Sequence, residues 1–150
     1  FKTNSMKSKF KQAFMQCAET FAELSSATRA KVGCIIVKHN RIISIGYNGM
    51  PAGWDNECEN IIHHHELGTT TSVTKPEVLH AETNAIAKVA QSSESCQDAS
   101  LFCTHTPCMD CAKLIYQSGI TTVYFKHAYD AAKGSGLEFL KLSGVTVEQI

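Results

Sequence analysis

From Phe10 onward, apolar residues recur at Ala13, Phe14, Cys17, Ala18, Phe21 and Leu24, the one-sided stripe of an amphipathic helix that ends near Ser25. Two β-rich runs follow, over residues 32–37 and 42–47. His39-Asn40 between them signals a hairpin. Residues 48–75 hold Gly, Pro, Asn and a Thr cluster without a sustained period, which predicts a long functional loop carrying one short helix. After Pro76 the period turns helical, with Ala81, Ala85, Ile86, Val89 and Ala90 on one stripe and Ser92-Ser93 closing it. Residues 100–105 read as a buried strand. Thr106 then suits an N-cap and Pro107 a first helical position, opening a helix through Tyr116 that Gly119 terminates. A strand over 120–126, a short helix carrying Leu137, Phe139 and Leu140 after Gly134 and Gly136, and a strand beginning at Val145 complete the pattern. The order αββ, then αβαβαβ, predicts a sheet with an antiparallel hairpin at one side and parallel strands joined by right-handed crossovers.

The chain has 150 residues, which makes one domain and leaves no room for a second. Fourteen Lys and Arg balance fourteen Asp and Glu, so the global positive field of a nonspecific nucleic-acid binder is missing, although a local basic pocket is compatible with it. Charged residues at 19% and hydrophobic residues at 43% fit a compact fold and not a disordered segment. No apolar run reaches the ~20 residues of a membrane span, and no secretory signal leads the chain. The expected location is therefore the cytoplasm. Phe1 to Ser5 stand ahead of Met6 and are assigned no function.

Seven cysteines, an odd number without framework spacing, argue against a disulfide scaffold and for a metal or redox site wherever two lie close together. Two short motifs then carry the chemistry: His80-Ala81-Glu82 at the start of one predicted helix and Pro107-Cys108-Met109-Asp110-Cys111 at the start of the next. Cys108 and Cys111 are three apart, so on a helix they share a face and reach one ion. His80 supplies a third ligand. Three protein ligands leave a fourth tetrahedral position open, the mark of a catalytic zinc, and there zinc lowers the pKa of water from 15.7 to about 7. Helix N-termini favour the thiolates electrostatically. Glu82 is better used as a proton shuttle than as a ligand. Two readings stand beside this one, a structural zinc staple, which needs a fourth ligand, and a redox cysteine pair.

His-x-Glu followed by Pro-Cys-x-x-Cys is the signature of the zinc nucleobase deaminases. With it go the segments 41–53, which contains Gly46-Tyr47-Asn48-Gly49, 80–86 and 111–120. Together they closely resemble the deoxycytidylate (dCMP) deaminases of phage and bacterial type, over most of the chain from Ser25 onward. The resemblance implies a single cytidine-deaminase-like domain over residues 1–150, a three-layer α/β/α sandwich on a mixed five-stranded sheet with an antiparallel N-terminal hairpin. It also implies a hydrolase that converts dCMP to dUMP and ammonia, supplying dUMP for thymidylate synthesis, in the host-cell cytoplasm if phage-encoded.

Position by position, the resemblance makes His80, Cys108 and Cys111 the Zn2+ ligands, Glu82 the catalytic acid/base, and Asn48, Ala81 and Tyr129 substrate contacts. Asn48 also reads as a turn residue before Gly49, and Tyr129 as loop packing. A nucleotide monophosphate carries about two negative charges and needs a cation, for which Arg29 and Lys31 are the candidates; solvated helix-end cations are the plain alternative. The family further implies a homo-oligomer, up to a hexamer, with dCTP and dTTP as effectors near Tyr47 and Gly49 and Mg2+ accompanying dCTP. Cys58 with His63, His64 and His65 is a candidate second, structural zinc site, with surface histidines as the other reading. Cys17, Cys34, Cys96 and Cys103 read as small buried hydrophobes. The competing functions are a deaminase of free cytidine, guanine or a tRNA adenosine, with no stable nucleic-acid or membrane partner expected here, and a noncatalytic zinc module. A tRNA enzyme calls for a basic surface, and a structural module has no use for Glu82.

Overall fold

A computed structural model describes residues 5–128 and 135–150. Helix α1 (Ser8–Ala22) leads into strands β1 (Gly33–Lys38) and β2 (Arg41–Tyr47), joined through His39 and Asn40. Both turn residues take positive φ, 50° and 59°, the conformation a two-residue hairpin of native twist requires. Then come β3 (Glu59–His64), β4 (Thr69–Thr74), α2 (Ala81–Ala90), β5 (Ser100–His105), α3 (Met109–Gln117), β6 (Thr122–His127), α4 (Leu137–Leu142) and β7 (Thr146–Gln149). The main sheet has the order β2-β1-β5-β6-β7. β1 is antiparallel to both β2 and β5, while β5, β6 and β7 run parallel. This is the expected mixed five-stranded sheet.

The strand period of two sorts the core into two layers. Ile35, Val37, Phe102 and Tyr124 face Met15 and Ala18 of α1. Cys34, Ile36, Leu101, Cys103 and Val123 point the other way, into the layer formed by Ala81, Ala85, Ile115 and Leu140 of α2, α3 and α4. One helix on one face and three on the other make the α/β/α sandwich. Among the described residues no helix is long and apolar enough to cross a membrane.

Two local expectations are corrected. Residues 48–75 contain no helix; they carry a separate two-stranded hairpin, β3 paired antiparallel with β4. Its strands are exposed on both faces, so they show no alternation for a hydrophobic-pattern reading to detect. The β-branched run Thr69-Thr70-Thr71 was the available signal. Second, α3 is capped by Cys108 and starts at Met109, so neither Thr106 nor Pro107 opens it. The Thr106 hydroxyl donates to the His127 carbonyl instead, because the neighbouring strand lies beside it. Gly119 does end the helix as expected, just past the Ser118 C-cap with φ 95°.

Gly46 sets the seat of α2. A Cβ there would collide with the Ala81 carbonyl oxygen and come within 2.7 Å of the Ala85 amide nitrogen, both backbone atoms of the helix that carries Glu82. Gly46→Ala is expected to cost about 1–3 kcal/mol of stability in urea titrations, the range for overpacking a filled core. Gly49→Ala, with nothing within 4 Å of the added carbon, is the matched control and stays near wild type.

Candidate active site

The sheet brings two helix N-termini to one point. His80 is the N-cap of α2 and Cys108 the N-cap of α3, with Cys111 in the first turn of α3. Leu79 is pinned by a reciprocal pair of backbone hydrogen bonds with Gly49, 2.8 and 3.1 Å, which fixes where His80 leaves the chain. His80 Nδ1 lies 3.2 Å from Cys111 Sγ and 3.6 Å from Cys108 Sγ. The ligand atoms of all three residues fall within 4.8 Å of one another.

This donor set fits zinc. Tetrahedral Zn–N and Zn–S bonds of about 2.0 and 2.3 Å place nitrogen and sulfur roughly 3.6 Å apart, which matches the observed separations. Among the described residues no fourth His, Cys, Asp or Glu joins the cluster. The thiols are already polarised for metal binding. The hydrogen bond from Cys111, helped by His80, holds Cys108 down to about 4, so it is a thiolate at neutral pH. Cys111, hydrogen-bonded to that thiolate, buried and close to Glu82, is pushed strongly upward and keeps its proton until an ion displaces it.

Glu82, in the first turn of α2, is only 4% exposed and accepts a hydrogen bond from the Cys103 thiol at 3.0 Å. It lines a cleft of about 260 Å³ together with His80, Ala81, Cys108, Asn48 and Arg29. That volume is at the small end for small-molecule sites. His105, Thr106, Thr74, Val78, Val32, Ala27 and Ala30 also line it. None of these seven was singled out from sequence as a site residue, Thr106 being read only as a helix cap. For His105 and Thr106 the signal was their position directly ahead of Pro107-Cys108. His105 is half-buried, and burial and the neighbouring His127 push its pKa down.

The remaining predicted residues divide. Arg29 and Lys31 are both exposed, and of the two only Arg29 lines the cleft. Asn48 lines it too, but both ends of its amide brace the rim: Oδ1 accepts from the Val32 amide at 2.9 Å and Nδ2 donates to the Ala30 carbonyl at 2.8 Å. One amide hydrogen and one lone pair are left for a ligand. Tyr47 and Gly49 are not among the lining residues. Lys88 instead sits 5.6 Å over the Tyr47 ring. Tyr129 lies outside the described residues. His63 and His65 stack on one face of the exposed hairpin, while His64 pairs with Thr71; with Cys58 they form no convergent ligand cluster among the described residues.

Comparison with known proteins agrees with this geometry. Residues 8–127 match the family model described as the cytidine and deoxycytidylate deaminase zinc-binding region. A crystal structure of dCMP deaminase from the cyanophage S-TIM5, in complex with dCMP and dUMP, superposes with a TM-score of 0.85 at 44% identity, covering 97% of this chain and 100% of that one. Deoxycytidylate deaminase of Enterobacteria phage T4 is 32% identical over 89% of this chain and 86% of its own length. The human deoxycytidylate deaminase is 37% identical over 89% of this chain and 75% of its own.

Proposed function

The chain belongs to the cytidine and deoxycytidylate deaminase family, and from that premise we propose that it hydrolyses dCMP to dUMP and ammonia with Glu82 as the proton carrier. The observation that carries this reading is the meeting of His80, Cys108, Cys111 and a buried Glu82 at one cleft. His80, Cys108 and Cys111 would hold Zn2+. When bound, the ion supplies Lewis-acid activation of water.

The chain's own groups do the rest. Water adds its oxygen to C4 of the pyrimidine, and Glu82 takes the proton released and returns it to N3. The new C4 hydroxyl then gives its proton to Glu82, which passes it to the exocyclic amine; C4–N breaks, ammonia leaves and C4 becomes the carbonyl of dUMP. One carboxylate serves both transfers because it is buried at the floor of the same cleft and is not consumed as a ligand. Asn48 offers its spare donor and acceptor to the sugar or base, and Ala81 lines the same cleft. Tyr129 as a further substrate contact rests on the resemblance alone.

Among the described residues Arg29 is the basic side chain, other than histidine, that lines the cleft, and it is assigned to the phosphate. The loop that carries it is anchored, since the Thr28 and Arg29 amides both donate to Glu59 Oε1, at 2.7 and 3.4 Å. Arg29→Gln is expected to raise KM for dCMP about tenfold, the cost of one charge-assisted contact, while deoxycytidine turnover stays nearly unchanged. An unaltered KM for dCMP would move the phosphate elsewhere.

The direct test is ammonia release from dCMP, deoxycytidine and CMP by the zinc-loaded chain. Preference for dCMP supports the reading; equal turnover of all three removes monophosphate specificity. Assembly as a homo-oligomer of up to six chains, control by dCTP with Mg2+ and by dTTP near Tyr47 and Gly49, and action in the cytoplasm belong to the same reading and are supported by the family resemblance. A sigmoidal dCMP curve made hyperbolic by dCTP supports such control, and indifference to both nucleotides removes it.

A further inference from the structure

A carboxylate that must carry protons in a buried site needs its orientation held by something other than the ion site. Among the described residues two thiols are hydrogen-bonded to Glu82. Cys111 is one, but it belongs to the ion cluster with His80 and Cys108. Cys103 is the other: it is completely buried, stands on the face of β5 that packs against α2, and donates to Glu82 Oε1 at 3.0 Å. It belongs neither to the ion cluster nor to the cleft wall. Cys34, its cross-strand partner on β1, is equally buried and closes the space behind it. Burial, the contact with Cys34 and the nearby Glu82 charge all push the Cys103 thiol well up, which favours its role as a donor.

We propose that Cys103 is a positioning residue for proton transfer: its S–H fixes one oxygen of Glu82 and leaves the other to take and return protons at the substrate. The inference rests on the deaminase reading above. Its role is confined to orientation; the thiol exchanges no proton with the substrate and bonds to nothing in the reaction.

Cys103→Ala and Cys103→Ser test it, because the two replacements have nearly the same volume and differ by one hydroxyl donor. Both are made in the full zinc-loaded chain, with zinc content and thermal midpoint measured in parallel. In Cys103→Ala, kcat should fall about tenfold with KM for dCMP within about twofold of wild type, the pattern of a lost contact that matters in the transition state and not in binding. Cys103→Ser should recover to within about threefold of wild type, since a hydroxyl can donate to the same oxygen. Crystal structures of the zinc-loaded variants should show the Glu82 carboxylate turned in Cys103→Ala and unmoved in Cys103→Ser. Equal losses in the two variants would assign the position to packing, and an undiminished Cys103→Ala would make it a bystander; either overturns the proposal. Should Cys103→Ala fold poorly, Cys103→Val removes the same donor while filling the space. A wild-type chain that binds zinc yet leaves dCMP untouched would overturn the deaminase reading instead, and the Glu82 orientation in the variant crystals would still decide whether Cys103 holds it.

Discussion

Glu82→Gln should lower dCMP turnover by at least about 10²-fold, within the usual range for removing a general acid/base, while zinc stays bound at one ion per chain. The amide keeps the volume of the carboxylate and an oxygen that can still accept from Cys103, so the local packing at 3.0 Å is preserved. It can no longer pick up a proton. His80, Cys108 and Cys111 would hold the ion without Glu82, so metal content is expected to be unmoved. Binding of dCMP should change by no more than a few-fold, leaving the loss in kcat. Stability should hold or rise, since a buried charge is replaced by a neutral group of the same shape. Steady-state ammonia release, metal analysis and thermal melts on one preparation separate these effects. A variant with wild-type kcat would remove Glu82 from the chemistry; one that loses its zinc would make it a structural neighbour of the ligands.

The part of this arrangement that sequence could reach was the part written in residue chemistry. His80-Ala81-Glu82 and Pro107-Cys108-x-x-Cys111 name their atoms, and the helical periods around them place both motifs at helix starts, where they are found. The β1–β2 hairpin was readable because His39-Asn40 is a turn signal between two β-rich runs, the first of them buried almost throughout. The β3–β4 hairpin was not, because neither of its faces is buried. Partners across space were also out of reach. Strand period puts Cys103 on the α2 face of the sheet but does not reveal that its thiol meets Glu82, so it looks like any small buried residue. Asn48 was recognisable as a residue of the cleft, yet its bonds to Val32 and Ala30 depend on a loop path that no local pattern encodes. Arg29 and Lys31 were indistinguishable as charges; only the fold sets one of these two exposed residues along the cleft and leaves the other off it.

Removing a ligand should have effects of comparable size by a different route. Structural zinc sites with four protein ligands bind with an apparent free energy of about 10–16 kcal/mol, so each ligand accounts for roughly 3 kcal/mol and its loss for about 10²-fold in affinity. Cys108→Ala and Cys111→Ala should therefore each lose zinc on dialysis against a weak chelator, lose turnover with it, and melt at a lower temperature, since ion binding no longer stabilises the folded state. The two cysteines also fix the pH dependence. In the metal-free protein Cys108, at about 4, is already ionised at pH 7, whereas Cys111 retains its proton because the Cys108 sulfur and burial oppose a second charge. Ion binding must expel that proton, so affinity rises with pH by at least about tenfold per unit, or at least roughly 10² between pH 6 and pH 8, and more where the His80 imidazole also gives up a proton. Competition titrations with a chromogenic chelator at those two pH values measure the slope, and proton release into a weakly buffered solution counts it directly. A flat affinity, or a Cys111→Ala chain that keeps its zinc and its rate, would take the ion away from the sulfur buried between the two helix starts and with it the site's catalytic geometry.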